Sequence, residues 1–119
     1  MSIYIYVDDI REDDTWFRQN LDGSLWTPIV CRSYNQAIRV INEFYQDHYI
    51  ILDLDHDLGD LDAENDGEYN PNAPSGYDIC KYVVENHIPL IGFHIHSMNP
   101  VGAENMRQLL QRYGYEELY

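Results

Sequence analysis

Cations are scarce in this chain. Among 119 residues lysine occurs once, at Lys81, and Lys+Arg total 7 against 21 Asp+Glu, for a formal charge of −14. A field of that sign disfavours unassisted binding to nucleic acid or to an anionic membrane, so no direct DNA binding is expected. It also repels a phosphate-bearing substrate unless a metal inverts the local sign. Cysteine is scarce too. Cys31 and Cys80 make no disulfide framework and match no zinc spacing, which fits free thiols in a reducing cytosol. No apolar run approaches the length of a membrane span, and the first residues lack a signal-peptide pattern. A cytoplasmic location with no membrane partner is therefore expected. Repeats, heptad seams and low-complexity tracts are missing as well. The length fits one domain over residues 1–119, and 45% apolar composition supports a globular core.

The chemistry concentrates around Tyr49 to Gly59, YIILDLDHDLG. A β-branched apolar run reads as a buried strand, and Asp53, Asp55 and Asp57, two apart, point to one side of an extended backbone. Like charges held so close repel, and burial worsens the repulsion. A divalent cation among them relieves both.

The rest of the chain supplies partners for that strand. Ile3 to Val7 reads as a central strand ending on Asp8-Asp9. Residues 10–20 read as a short helix anchored by Trp16 and Phe17, and Asp22-Gly23 marks a turn. Thr27 to Arg32 is a second strand whose Pro28 suits an edge. Ser33 caps a helix over 34–47, the strand at 49–55 follows, and residues 58–75 form the least structured stretch. Ser75 caps a helix from Gly76 to Asn86, Leu90 to Ile95 is a strand, 97–102 is a turn, and Ala103 to Tyr113 is helical. Tyr115 to Tyr119 either adds a short last strand or hangs off the edge.

The alternation of strands and helices points to an α/β fold with a mainly parallel sheet of four to five strands. Ligands of such sheets bind at the carboxyl ends of the strands. Asp8-Asp9, Asp55-His56-Asp57 and His94-Ile95-His96-Ser97 each end a predicted strand, so three polar clusters converge on one rim.

Each group in those clusters has more than one use. Asp8, Asp9, Asp55 and Asp57 offer hard oxygen donors suited to Mg²⁺ or Mn²⁺. Asp8-Asp9 could instead be a strand-end turn, and Asp53 a hydrogen-bonded buried carboxylate. His56, His94 and His96 suit proton transfer near neutral pH or metal ligation. Ser97 either binds a phosphoryl oxygen or caps a turn. Asn99 and the backbone of Pro100-Val101-Gly102 shape a pocket for an anion before the last helix. Arg11 either clamps a phosphate or neutralises the acidic rim.

The layout resembles the receiver domain of response regulators, with Asp8-Asp9 at the acidic pair, Asp55 at the phosphoacceptor position and Ser97 at the switch hydroxyl. An ordinary receiver ends its fifth strand on a lysine, and here the one lysine lies in a predicted helix. The motifs VDDIR (Val7 to Arg11), LDHDLG (Leu54 to Gly59), GYD (Gly76 to Asp78) and HIHSMNPVG (His94 to Gly102) more closely resemble the cyclic-phosphate processing receiver domain family. That resemblance implies a receiver-like, three-layer α/β/α (flavodoxin-like) scaffold of a kind frequent in bacteria and their phages. It also implies a metal-dependent site acting on a cyclic phosphate of a nucleotide or RNA end. Two other functions fit parts of the sequence. One is a signalling receiver phosphorylated on Asp55; the other is a non-enzymatic acidic protein that binds a basic protein partner.

Overall fold

Tyr4 to Val7 are all buried, as a strand with almost nothing polar in it must be, and β1 (Ser2–Val7) lies inside the sheet. The computed structural model describes residues 2–9, 28–58, 61–62, 68–69 and 74–118. In chain order, β1 is followed by β2 (Pro28–Cys31), α1 (Tyr34–Phe44) and β3 (Tyr49–Leu54). After β3 come β4 (Leu61–Asp62), β5 (Glu68–Tyr69), α2 (Gly76–Glu85), β6 (Gly92–Ile95) and α3 (Pro100–Arg112). Four strands form one parallel sheet in the order β2-β1-β3-β6, with the Pro28 strand at the edge as expected. Within the acidic 58–75 stretch, β4 and β5 pair antiparallel over two rungs.

Strand alternation divides the sheet into two unlike faces. Ile5, Val7, Ile50, Leu52, Leu54, Phe93 and Ile95 join one apolar core with Ala37 and Ile41 of α1, Ile79 and Val83 of α2, and Met106 and Leu110 of α3. The other face carries Tyr4, Tyr6, Asp53 and His94. All three described helices belong to the first face. Among the described residues, then, one helical layer covers the sheet. The helix expected over 10–20, with Arg11, lies outside the described residues.

Helix starts follow their caps. Ser33 accepts from the Gln36 N–H at 3.2 Å, and Ser75 with Asp78 forms a reciprocal capping box. α3 begins at Pro100, three residues before the Ala103 expected. Asn99 is its cap, accepting from the Gly102 N–H at 3.0 Å, and proline at the first helical position lacks only an N–H that has no helical partner there. α1 stops at Phe44 rather than 47, because the turn before β3 takes over: the N–H groups of Asp47 and His48 both return to the Phe44 carbonyl.

Between the two expectations for residues 115–119, a short strand or a tail off the edge, the chain makes one parallel bridge, Phe93 with Glu117. The Phe93 N–H donates to the Glu116 carbonyl and the Leu118 N–H to the Phe93 carbonyl, so the tail covers the outer edge of β6. Arg107 on α3 clamps it through Glu117 at 2.9 Å. Among the described residues no helix is long and apolar enough to cross a membrane.

Gly76 ties α2 to the loop leaving β3. Its N–H donates to the His56 carbonyl at 2.8 Å, and an added Cβ would lie 2.0 Å from the Asp55 carbonyl oxygen. That neighbour is backbone and cannot rotate away. Gly76→Ala is therefore expected to lower stability by roughly 1–3 kcal/mol, as overpacking does. Urea unfolding measures this; an unchanged midpoint would contradict the close approach.

Candidate metal centre at the strand ends

Register brings the site together. Val7 pairs with Leu54, and Leu54 with Ile95, across three adjacent strands. The next residue on each strand is Asp8, Asp55 and His96. Their backbones continue the ladder: the Asp55 N–H donates to the Val7 carbonyl and the His96 N–H to the Leu54 carbonyl, both at 3.0 Å. All three side chains thus leave the same face at the same level, over strands spaced about 4.8 Å apart. One ligand atom from each lies within 4.8 Å of the other two.

Two rows of side chains lie beneath on that face. Tyr6, Asp53 and His94 are register partners, as are Tyr4, Ile51 and Gly92 below them. Asp53 is fully buried and accepts the Tyr4 hydroxyl hydrogen bond on one oxygen. Its other oxygen meets His96 Nδ1 at 2.6 Å, and His96 Nε2 meets Asp8 at 3.0 Å. The ring of Tyr6 stacks on the His96 ring, centroids 4.6 Å apart and planes 4° from parallel. The imidazole is therefore fixed in plane, tilt and rotation. A carboxylate at each nitrogen favours the charged form of the ring.

The electrostatics separate one satisfied pair from an unsatisfied surplus. Burial alone would raise Asp53, but hydrogen bonds from His96 and Tyr4 hold it below the usual carboxylate range. Burial works against charge on His96, yet Asp53, Asp8 and Asp55 together raise its pKa above the ordinary 6.5. Asp55 is raised by burial and by the adjacent Asp8 charge. Asp9 is raised by burial and by Asp8 and Asp55, against an opposing hydrogen bond from its own backbone. Asp8, Asp9 and Asp55 thus share a partly dry rim with the His96 imidazole.

The donor set fits a divalent ion. Asp8 and Asp55 present hard oxygens, their mutual repulsion favours added positive charge, and His96 presents Nε2 because Asp53 holds Nδ1. An Asp–His–metal arrangement is the usual way to set a ligating imidazole's tautomer and orientation.

The other residues read from the sequence fall at graded distances from this group. Asp9 stands beside it, half-buried, within electrostatic reach of Asp8 and Asp55. The strand ends at Leu54, so Asp57 leaves the line of Asp53 and Asp55; it is exposed and pairs with His56 Nδ1 at 2.8 Å. His94 sits one row below the rim, level with Asp53, where its charge helps to lower the Asp53 pKa. Ser97 accepts the Asn99 N–H at 3.0 Å, and its hydroxyl favours the ionised form of Asp55. Asn99 spends its side-chain oxygen on capping α3.

Sequence reasoning missed Tyr4 and Tyr6 and left Asp53 unplaced. The signal was there: Tyr4, Tyr6 and Asp8 alternate along one strand face, as Asp53 and Asp55 do along another. A parallel sheet in this order, with carboxylates closing its first and third long strands, defines a receiver-type α/β domain. The chain belongs to the family described as the cyclic-phosphate processing receiver domain, whose pattern matches residues 3–112. None of the curated proteins and none of the solved structures compared with the chain matches it.

The network fixes the sign of a titration. A raised folded-state pKa on His96 contributes stability that is fully present below pH 6.5 and is lost as pH rises through the raised value. Asp53→Asn removes the anion at Nδ1 and leaves burial with less opposition, so the His96 pKa falls. Proton-coupled NMR shifts of the His96 ring, wild type against variant, measure it; identical titration curves would refute the pairing.

Proposed function

We propose that this chain is a metal-dependent phosphoesterase acting on a cyclic phosphate of a nucleotide or RNA end. The observation that supports the reading most is the meeting of Asp8, Asp55 and His96 at one rim of a chain in this family. Asp8, Asp55 and His96 Nε2 would hold Mg²⁺ or Mn²⁺. Such an ion, when bound, supplies Lewis acidity toward a phosphoryl oxygen and lowers the pKa of a water.

The chain's own groups do the rest. Asp53, with the Tyr4 hydroxyl behind it and His94 beside it, keeps Nδ1 of His96 protonated and so presents Nε2. Asp9 adds negative charge that strengthens cation binding without replacing Asp8 or Asp55. Ser97 orients Asp55 through its hydroxyl. His56 sits one residue past Asp55 with Nδ1 on Asp57, which leaves Nε2 to move a proton to or from the ester oxygen. Arg11, three residues past Asp8, clamps the non-reacting phosphate oxygens. The net −14 then serves as a selectivity device: the substrate's anion is repelled everywhere except where a cation is held.

Incubation with 2′,3′- and 3′,5′-cyclic nucleotides and Mg²⁺ or Mn²⁺ is expected to give ring opening that a chelator stops. His96→Ala and Asp55→Asn abolish it. Asp53→Asn, which acts through His96, costs roughly 10–100-fold, and His56→Gln about 100-fold or more. No turnover across the panel would overturn the reading. Nε2 must shed its proton to hold an ion, so Mn²⁺ affinity rises with pH through the His96 titration. Calorimetry on either side of that pKa checks this; an affinity indifferent to pH would exclude Nε2 as a ligand.

A further inference from the structure

Between α2, α3 and the loop that leaves β3 runs a cleft of about 510 Å³. Asn105, Gln108, Leu109 and Arg112 line it from α3, His56 from the loop after β3 and Tyr77 from the first turn of α2. The four α3 positions follow i, i+3, i+4, i+7 spacing, which is one stripe of the helix. The opposite stripe, with Ala103, Met106 and Leu110, is in the core. α3 therefore has one apolar, packed face and one mainly polar face turned to the cleft, with Leu109 at their border.

Two features mark the polar face as more than solvated surface. None of the cleft's described lining residues is acidic, although the chain carries 21 Asp and Glu, and Arg112 adds a cation. The wall nearest the rim is built to a tight fit. A Cβ on Gly102 would lie 2.5 Å from the His56 ring, so the imidazole rests against the start of α3, with its Nδ1 on Asp57. His56 follows Asp55 directly in the chain, so this wall of the cleft is one residue removed from the Asp8–Asp55–His96 group.

The lining chemistry is selective for a ring with hydrogen-bonding edges. Asn105 and Gln108 are carboxamides, each offering a donor and an acceptor. Gln108 gives one N–H to Glu104 at 3.2 Å and keeps its carbonyl oxygen and a second hydrogen. Tyr77 adds an aromatic ring and Leu109 an aliphatic side chain to the lining, both half-buried against the core. Carboxamides reading an edge while an aromatic ring stacks is how proteins hold an unpaired nucleobase, and the volume lies in the range of small-molecule sites, about 300–1,000 Å³.

The geometry points to this cleft as the nucleobase subsite of the cyclic-phosphate substrate, with His56 between the base and the phosphate. The assignment rests on the phosphoesterase reading for the substrate's identity, but its test does not. Adenosine, guanosine, cytidine and uridine carry no phosphate and have no use for a metal. In an NMR titration of the full chain, at least one of them is expected to shift the backbone amides of Tyr77, Asn105 and Gln108. Asn105 and Gln108 are exposed, so Asn105→Ala with Gln108→Ala leaves the fold intact. The double variant weakens that binding about tenfold or more, whereas Asp55→Asn leaves it unchanged. Shifts confined to other surfaces, no shift with any of the four, or a double variant that binds like wild type would overturn the subsite even if turnover is found. Nucleoside binding here without turnover of any cyclic phosphate would support the subsite and remove the phosphoesterase reading alone.

Discussion

A single imidazole between two buried carboxylates is the contact on which the rim depends. His96 meets Asp53 with one nitrogen and Asp8 with the other, and its face is covered by Tyr6. A carboxylate as deep as Asp53 would be costly alone; removing one partner of such a buried pair costs on the order of 3–5 kcal/mol. The pair is tolerated because Tyr4 and His96 between them satisfy both oxygens of Asp53. With Asp53 held as an anion, the ring cannot rotate, and Nε2 is committed to the acidic rim. Site geometry and sheet stability are thus one interaction viewed from two sides.

The parallel sheet supplies the rest without special construction. Three strands in register end at the same level, so the residue after each end lands in one row. Chemistry at the carboxyl edge then needs only the right residue at that next position. Asp8 and Asp55 sit close enough to raise the Asp55 pKa, while the row beneath them on the same face, Tyr6, Asp53 and His94, is tied to the rim through His96. Around the rim, glycines let backbone and ring approach. Gly76 brings α2 against Asp55, and Gly102 lets His56 lie on α3.

Much of this was legible in the linear sequence. The alternation of strands and helices, the edge position of the Pro28 strand, the caps at Ser33 and Ser75 and the convergence of Asp8, Asp55 and His96 follow from period, capping chemistry and the strand-end rule. Asp57 did not stay with its neighbours because the strand stops at Leu54, and nothing in an Asp-x-Asp-x-Asp pattern says where extended backbone ends. The start of α3 was missed because Asn99-Pro100 reads equally as a turn and as a cap with proline at the first helical position. Asp53 stayed ambiguous for a deeper reason. Its partners, Tyr4 and His96, lie 49 and 43 residues away, and only the fold brings them to it. The bridge at Glu117, likewise, depends on Arg107 and on Gly92 leaving room for Leu118.

Asp8, Asp55 and Nε2 of His96 are proposed to share one cation. Anomalous diffraction from a crystal equilibrated with Mn²⁺ tests that directly. A peak within ligand distance of all three atoms, with Asp53 still bonded to Nδ1, is the predicted result. A peak that involves other acidic residues and leaves His96 between Asp53 and Asp8 would contradict it.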